Sequence, residues 1–199
     1  MAHWLDMTTA ALGLLYILLE VRGSVWMWVV GAAMQVLGIV LYFDKGLYAD
    51  CGMEFYYLGM TIYGMAHWRR HLAGSGTQPD VVRPTTLWHS PIGGTTGWGS
   101  VAVLAMVAAT VWAVIYWLLF TFTDSTVPLA DAFTTAFSMI GIYLLARRYV
   151  EQWLVWIAVD VVTCALYFYK DIPYKASLYA LYVVIAIAGF RRWRQQVRG

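Results

Sequence analysis

Residues 147–170, RRYVEQWLVWIAVDVVTCALYFYK, open on an arginine pair and Glu151, run through an apolar stretch with a single charge near its middle, Asp160, and close on a lysine. For seven residues on either side of Asp160 nothing is charged and nearly everything is apolar. Shifting the chain against itself by 125 residues lays residues 22–45, RGSVWMWVVGAAMQVLGIVLYFDK, over the same stretch. Arg22 then falls on Arg147, Trp28 on Trp153, and Tyr42, Phe43 and Lys45 on Tyr167, Phe168 and Lys170. Beyond it Tyr57 meets Tyr182, Gly64 meets Gly189, Trp68 meets Trp193 and Arg69 meets Arg194, all without a gap. The chain therefore carries an internal repeat, and the repeat decides its architecture.

The composition says what surrounds it. Of 199 residues, 61% are hydrophobic and 12% charged, against roughly half and a quarter in a soluble domain. Eleven Trp, fourteen Tyr and eight Phe are an aromatic excess that suits rings at membrane interfaces. A formal charge of +2 does not suggest nucleic-acid binding. Cys51 and Cys164 lie in apolar segments and read as small buried side chains, with no disulfide framework. The first residues, MAHWLDMTTAALGLL, lack a basic n-region and a small-x-small cleavage site, so no removable signal peptide is expected.

A spanning helix needs ~20 mostly apolar residues. Seven stretches qualify, at roughly 8–21, 25–43, 47–67, 99–121, 129–146, 150–168 and 174–190. In lipid they must be helical, because each backbone group has to be satisfied within its own segment. Arg22, Arg69, Arg70, Arg83, Arg147, Arg148, Arg191, Arg192, Arg194 and Arg198 all fall on one side if the N-terminus is outside and the C-terminus inside. The other side holds only Lys45, Lys170 and Lys175, so the positive-inside rule selects that topology. The repeat relates spans one to three with spans five to seven. Three is odd, so an inserted fourth helix is needed to give both triplets one orientation. The expected fold is an all-α membrane bundle in a parallel 3+1+3 arrangement, the architecture of SWEET sugar carriers, which bind substrate near the midplane between repeats. The expected parts are a first bundle over 1–70, a Pro/Gly-rich cytoplasmic linker over 71–98, a connector helix over 99–121, a second bundle over 129–191 and a basic tail over 192–199.

Under the repeat Asp160 falls on Gln35, so each triplet places a polar side chain at mid-membrane in its second helix. A charge there costs ~2.5–3.5 kcal/mol on insertion scales. The reading divides between a structural hydrogen bond to Thr163 or a nearby hydroxyl and a ligand or proton site. Trp156 precedes Asp160 by four residues and shares its helix face, and Trp153 lies on the same helix. An indole beside a carboxylate suits a flat cationic ring, although Trp156 also fits a packing anchor. Glu54, about one turn outside the centre of span three, is a further candidate, with Tyr179 as its counterpart.

YVEQWLVWIAVDV (149–161) closely resembles the signature of the PnuC family of vitamin transporters, an E-N-W-x-x-W pattern followed by a polar residue four positions on. LYFDKGLYAD (41–50), IYGMAHW (62–68) and the terminal LY…GFRRW (181–193) are similar to the same family, so the resemblance covers nearly everything outside 71–98 and span four. It implies a SWEET-like fold, residence in the bacterial inner membrane, and facilitated diffusion with a cytoplasmic kinase trapping the product. Gln152 stands where the pattern has Asn, Asp160 where riboside transporters often have Asn, and Glu54 where Gln is expected. Nicotinamide riboside, the commonest assignment in the family, is a pyridinium cation that one carboxylate suits. Thiamine, whose thiazolium and aminopyrimidine suit two acids, is the alternative.

A small polytopic membrane enzyme is the rival from another class. The chain has no HExxH, no GxSxG and no phosphate-cradling loop beyond the weak GTTGWG at 94–99, and its four histidines lie at helix ends or in the linker. No enzymatic activity, cofactor or metal site is expected. A retinal receptor would need a mid-membrane lysine, and all three lysines lie at loop positions. A PQ-loop carrier would show a PQ dipeptide in a span, which is missing. The expected partners are the bilayer, a small vitamin or nucleoside, functionally the kinase, and a second copy in a homo-oligomer.

Overall fold

The computed structural model describes residues 2–44, 48–75, 81–89, 92–94, 96–123 and 126–198. Among these are seven α-helices: α1 Ala2–Arg22, α2 Trp26–Asp44, α3 Tyr48–Ser75, α4 Gly97–Phe122, α5 Pro128–Ala146, α6 Gln152–Tyr169 and α7 Pro173–Arg198. A 3-10 turn occupies Ile92–Gly94. Five helices, α2, α4, α5, α6 and α7, are long and apolar enough to cross a membrane. α3 is the longest of the seven and mixes Asp50, Glu54 and several Tyr and Gly into its apolar stretch, which ends at Arg69, Arg70 and His71. The described residues hold isolated β-bridges and no strand.

Helix ends run well past the hydropathy reading at the start of α1, which begins at Ala2 rather than near residue 8, and at two C-terminal ends. α3 runs on to Ser75 and takes in the first residues of the expected linker, and α7 runs on to Arg198 through the expected tail. Trp68–Ala73 and Arg191–Arg198 are mostly good helix formers with no Gly or Pro to stop them. Hydropathy marks where the apolar layer ends, which is not where the backbone must leave the helix. Proline opens both α5 and α7, at the first helical position where its missing N–H costs nothing. α4 starts with Thr96, whose Oγ1 accepts from the Gly99 N–H at 3.1 Å.

The chain forms two compact units. The first comprises residues 1–83 with Ala146–Arg148. In it α2 packs on α3 and on α1. The α2–α3 contact closes on Trp28, which lies edge-on to Trp68 with ring centroids 5.4 Å apart. Gly64 lets that indole in, since a Cβ there would stand 2.4 Å from the Trp28 ring. α1 turns into α2 at Gly23, in the left-handed region at φ 71, where the Ser24 N–H donates to the Leu19 carbonyl at 3.0 Å. The Val82 N–H donates to the Gly23 carbonyl at 3.0 Å, and the Arg148 guanidinium to the Arg83 carbonyl at 2.9 Å.

The second unit comprises Pro84–Leu145 and Tyr149–Gly199. Here α6 packs on α7, and Trp153 lies edge-on to Trp193 with centroids 5.7 Å apart. Gly189 makes the room, since a Cβ there would stand 2.6 Å from the Trp153 ring. At the α5–α6 turn the Tyr149 N–H donates to the Leu144 carbonyl at 2.9 Å. Thr85 bridges to Tyr149 and accepts from the Val150 N–H at 2.9 Å, while Leu87, Leu144 and Tyr149 form a buried cluster beneath.

Candidate functional site

α6 carries the candidate residues of the second unit along one face. Gln152, Trp156 and Asp160 follow at intervals of four, and Trp153 joins them three before Trp156. From Gln152 to Asp160 this strip is about 12 Å long, at 1.5 Å per residue. Asp160 is 7% exposed. The hydroxyl expected to hold it is engaged elsewhere, because Thr163 donates to the Val159 carbonyl at 2.8 Å. Tyr182, on α7, lies within coulombic reach of the Asp160 carboxylate. Its ring meets Tyr179 edge-on at 5.6 Å, and Tyr179 stacks on Tyr167 at 5.4 Å. Lys175 stands over the Tyr167 ring at 5.3 Å. The carboxylate thus adjoins a run of tyrosine rings from α6 and α7. Hydropathy had no means of picking Tyr182 from fourteen tyrosines, although its place opposite Tyr57 in the repeat was a signal.

Toward the start of α6 the polar atoms are buried and unanswered. Gln152 is fully buried, and both its amide atoms lack a hydrogen-bond partner among the described residues. The indole N–H groups of Trp153 and Trp156 are buried in the same condition. Glu151 accepts the Leu87 N–H through Oε1 at 3.2 Å, while its Oε2 is buried without a donor. Buried polar groups normally find partners, and each one that does not costs ~1–3 kcal/mol. One helix face therefore offers an amide, two indole donors and a carboxylate in series, a set suited to a flat heterocycle with polar substituents. Trp156 is also a packing anchor, since its ring lies 3.1 Å from where a Cβ on Gly141 of α5 would stand.

In the first unit α2 carries Trp28, Gly31, Gln35 and Gly38 at spacings of three, four and three, again one face. Gln35 is half-buried, and its Oε1 lacks a donor among the described residues. Glu54 of α3 lies over Gly38, close enough that a Cβ there would stand 2.7 Å from its carboxyl carbon. Gln35 and Glu54 thus sit about one turn apart along α2. The sequence candidates divide between the units, with Gln35 and Glu54 in the first and Gln152, Trp153, Trp156 and Asp160 in the second. The cysteines behave as small packing residues with weak donors: Cys51 points its thiol at the Ile39 carbonyl and Cys164 at the Ala176 carbonyl, at 3.7 and 3.3 Å.

Apolar helices of membrane length with buried polar strips on two of them define a multi-pass α-helical membrane protein. The chain belongs to the nicotinamide mononucleotide transporter family, whose model matches residues 3–195. Among curated proteins it is similar to the riboflavin/roseoflavin transporter RibM of Streptomyces davaonensis, at 28% identity over 96% of this chain and 84% of that one. It is also similar to the nicotinamide riboside transporter PnuC of Neisseria mucosa, at 25% identity over 98% and 73% of the two chains. A crystal structure of the vitamin B3 transporter PnuC shares its fold, with a TM-score of 0.73 over 98% of this chain and 82% of that one, at 22% identity.

Proposed function

We propose that this protein carries nicotinamide riboside across the bacterial inner membrane by facilitated diffusion, with a cytoplasmic kinase trapping what enters, and that it is not an enzyme. The observation that carries the reading is Asp160, a buried carboxylate beside the Trp156 ring on one face of an apolar helix. A carboxylate in such surroundings stays charged only if a cation or hydrogen-bond donors offset its desolvation. A pyridinium supplies the cation, and an indole face stacks on it. Gln152 and Trp153 on the same helix, and Gln35 and Glu54 in the first unit, are proposed as further substrate-binding residues, amides and indoles suiting the carboxamide and ribose.

The proposal includes seven spans, an outside N-terminus, an inside C-terminus and the 3+1+3 repeat. Support for the repeat comes from equivalent positions under the 125-residue shift. Gly23 at φ 71 corresponds to Arg148 at φ 64, and the Ser24–Leu19 bond to the Tyr149–Leu144 bond. The thiol contacts use the same pair of positions with the partners exchanged, Cys51 facing Ile39 and Cys164 facing Ala176.

A second reading, a flavin substrate, is favoured by the likeness to RibM. Uptake of labelled nicotinamide riboside, riboflavin and thiamine into proteoliposomes of the purified protein separates them. Saturable entry of the riboside, not competed by riboflavin, is expected. Saturable entry of riboflavin alone overturns the riboside reading, and entry of thiamine alone restores the alternative that the paired acids suggest.

A further inference from the structure

Two acids are buried among the described residues, Asp160 at 7% exposure and Glu20 at 4%. Each stands four residues after an aromatic ring: Trp156 precedes Asp160 on α6, and Tyr16 precedes Glu20 on α1. Four residues is one helical turn, so in both helices the ring and the carboxylate share a face.

The two rings occupy opposite sides of one kind of contact. In the second unit Trp156 on α6 fills the space over Gly141 on α5. In the first unit Tyr16 on α1 fills the space over Gly31 on α2, with its ring 3.1 Å from where a Cβ would stand. Under the 125-residue shift Tyr16 falls on Gly141, and Gly31 on Trp156. The contact thus keeps one glycine and one ring in both units, while the ring, and the acid one turn after it, has moved from the second helix of the triplet to the first.

We propose that Tyr16 and Glu20 form a second subsite for the flat cationic heterocycle, supplied by α1 as Trp156 and Asp160 supply the first from α6; this rests on the cation reading above. The chemistry of the surroundings favours a cation. The Gln35 Oε1, an acceptor, lies 3.5 Å from the same Gly31 Cβ position that the Tyr16 ring crowds. The Tyr16 ring therefore has an amide oxygen on one side and, one turn along α1 on the other, the Glu20 carboxylate, so the ring and the carboxylate make the subsite. Glu20 lies two residues before Arg22, where α1 ends. Level with the start of α2, it is about 12 Å nearer the α1–α2 turn than Gln35, at 1.5 Å per residue. In the proposed topology that is the inner side, so the subsite is a waypoint between the centre and the cytoplasm.

The test uses the full chain in proteoliposomes and two probes of nearly equal shape, nicotinamide riboside and its uncharged 1,4-dihydro form. The readout is the ratio of their initial uptake rates. Glu20→Gln is expected to lower the cation-over-neutral ratio about tenfold and Glu20→Asp to keep most of it, as loss or retention of one charged contact implies. The double variant Tyr16→Gly with Gly31→Trp rebuilds the second unit's packing in the first. It is expected to keep the native melting temperature yet lower the ratio, since the ring no longer shares α1 with Glu20. Equal loss of both probes in Glu20→Gln, or no loss, overturns the subsite and makes Glu20 a structural residue. A native protein without preference for the cation overturns the substrate reading itself, and this proposal with it. Loss of preference in Asp160→Asn but not in Glu20→Gln overturns this proposal alone.

Discussion

At the scale of the residue, the decisive group is a carboxylate whose neighbours on its own helix do not satisfy it. Thr163, the hydroxyl best placed along α6, donates to a main-chain carbonyl instead. Asp160→Asn keeps size and hydrogen-bonding capacity and removes only the charge. If the charge holds a cation, binding of nicotinamide riboside weakens by ~1.5–3 kcal/mol, the range for a bond to a charged group. Uncharged nucleosides lose far less. Titration calorimetry on the purified variant measures both, and an unchanged affinity for the cation makes the residue structural. Asp160 was legible in the sequence because nothing within seven residues on either side of it is charged, so its cost had no other explanation. Glu20 was not, because it stands two residues from Arg22 and reads as the polar rim of a span. Only its burial gives it away.

At the scale of the element, each compact unit carries the same three-residue contact: Trp28, Gly64 and Trp68 in one, Trp153, Gly189 and Trp193 in the other. The glycine is there for close approach, since even a methyl group would overlap an indole. Gly189→Ala is therefore expected to destabilise the protein by ~1–3 kcal/mol, the usual cost of overpacking. Trp153→Leu added to it should recover part of the loss, because coupled sites are non-additive. Thermal unfolding in detergent reads both, and simple additivity of the two changes removes the clamp. This part of the fold could be read from the chain, because tryptophans and glycines at a constant offset keep their identity. The exchanged contacts could not. Tyr16 over Gly31 and Trp156 over Gly141 conserve the volume of a pair while changing both residues, and a residue-by-residue match sees only two mismatches. The extents of α3 and α7 were equally hidden, because helix formers continue the backbone after hydropathy has ended.

At the scale of the whole molecule, two expectations follow from the proposed topology and mechanism. Ten arginines fall on one side of the reading and three lysines on the other, so a reporter fused after Arg198 should be active in the cytoplasm. Activity confined to the periplasm reverses the orientation. The second expectation concerns energy. A carrier that binds its cation through carboxylates neutralises the substrate's charge with the protein's own. Moving the loaded site then needs no co-transported proton, although each turnover still carries the substrate's positive charge across and so responds to a membrane potential. With the potential held at zero, unmodified nicotinamide riboside should equilibrate across proteoliposome membranes, with an inside concentration that stops at the outside one. A proton or sodium gradient imposed at zero potential should leave that end point where it is. Enclosing a riboside kinase with ATP should raise the total internal label well above it, all of the excess as the phosphorylated product, whose added negative charge unfits it for a site built from acids and π faces. Accumulation of the unmodified riboside driven by a gradient refutes this scheme, and a buried carboxylate that titrates during the cycle, Asp160 or Glu20, then becomes the coupling group.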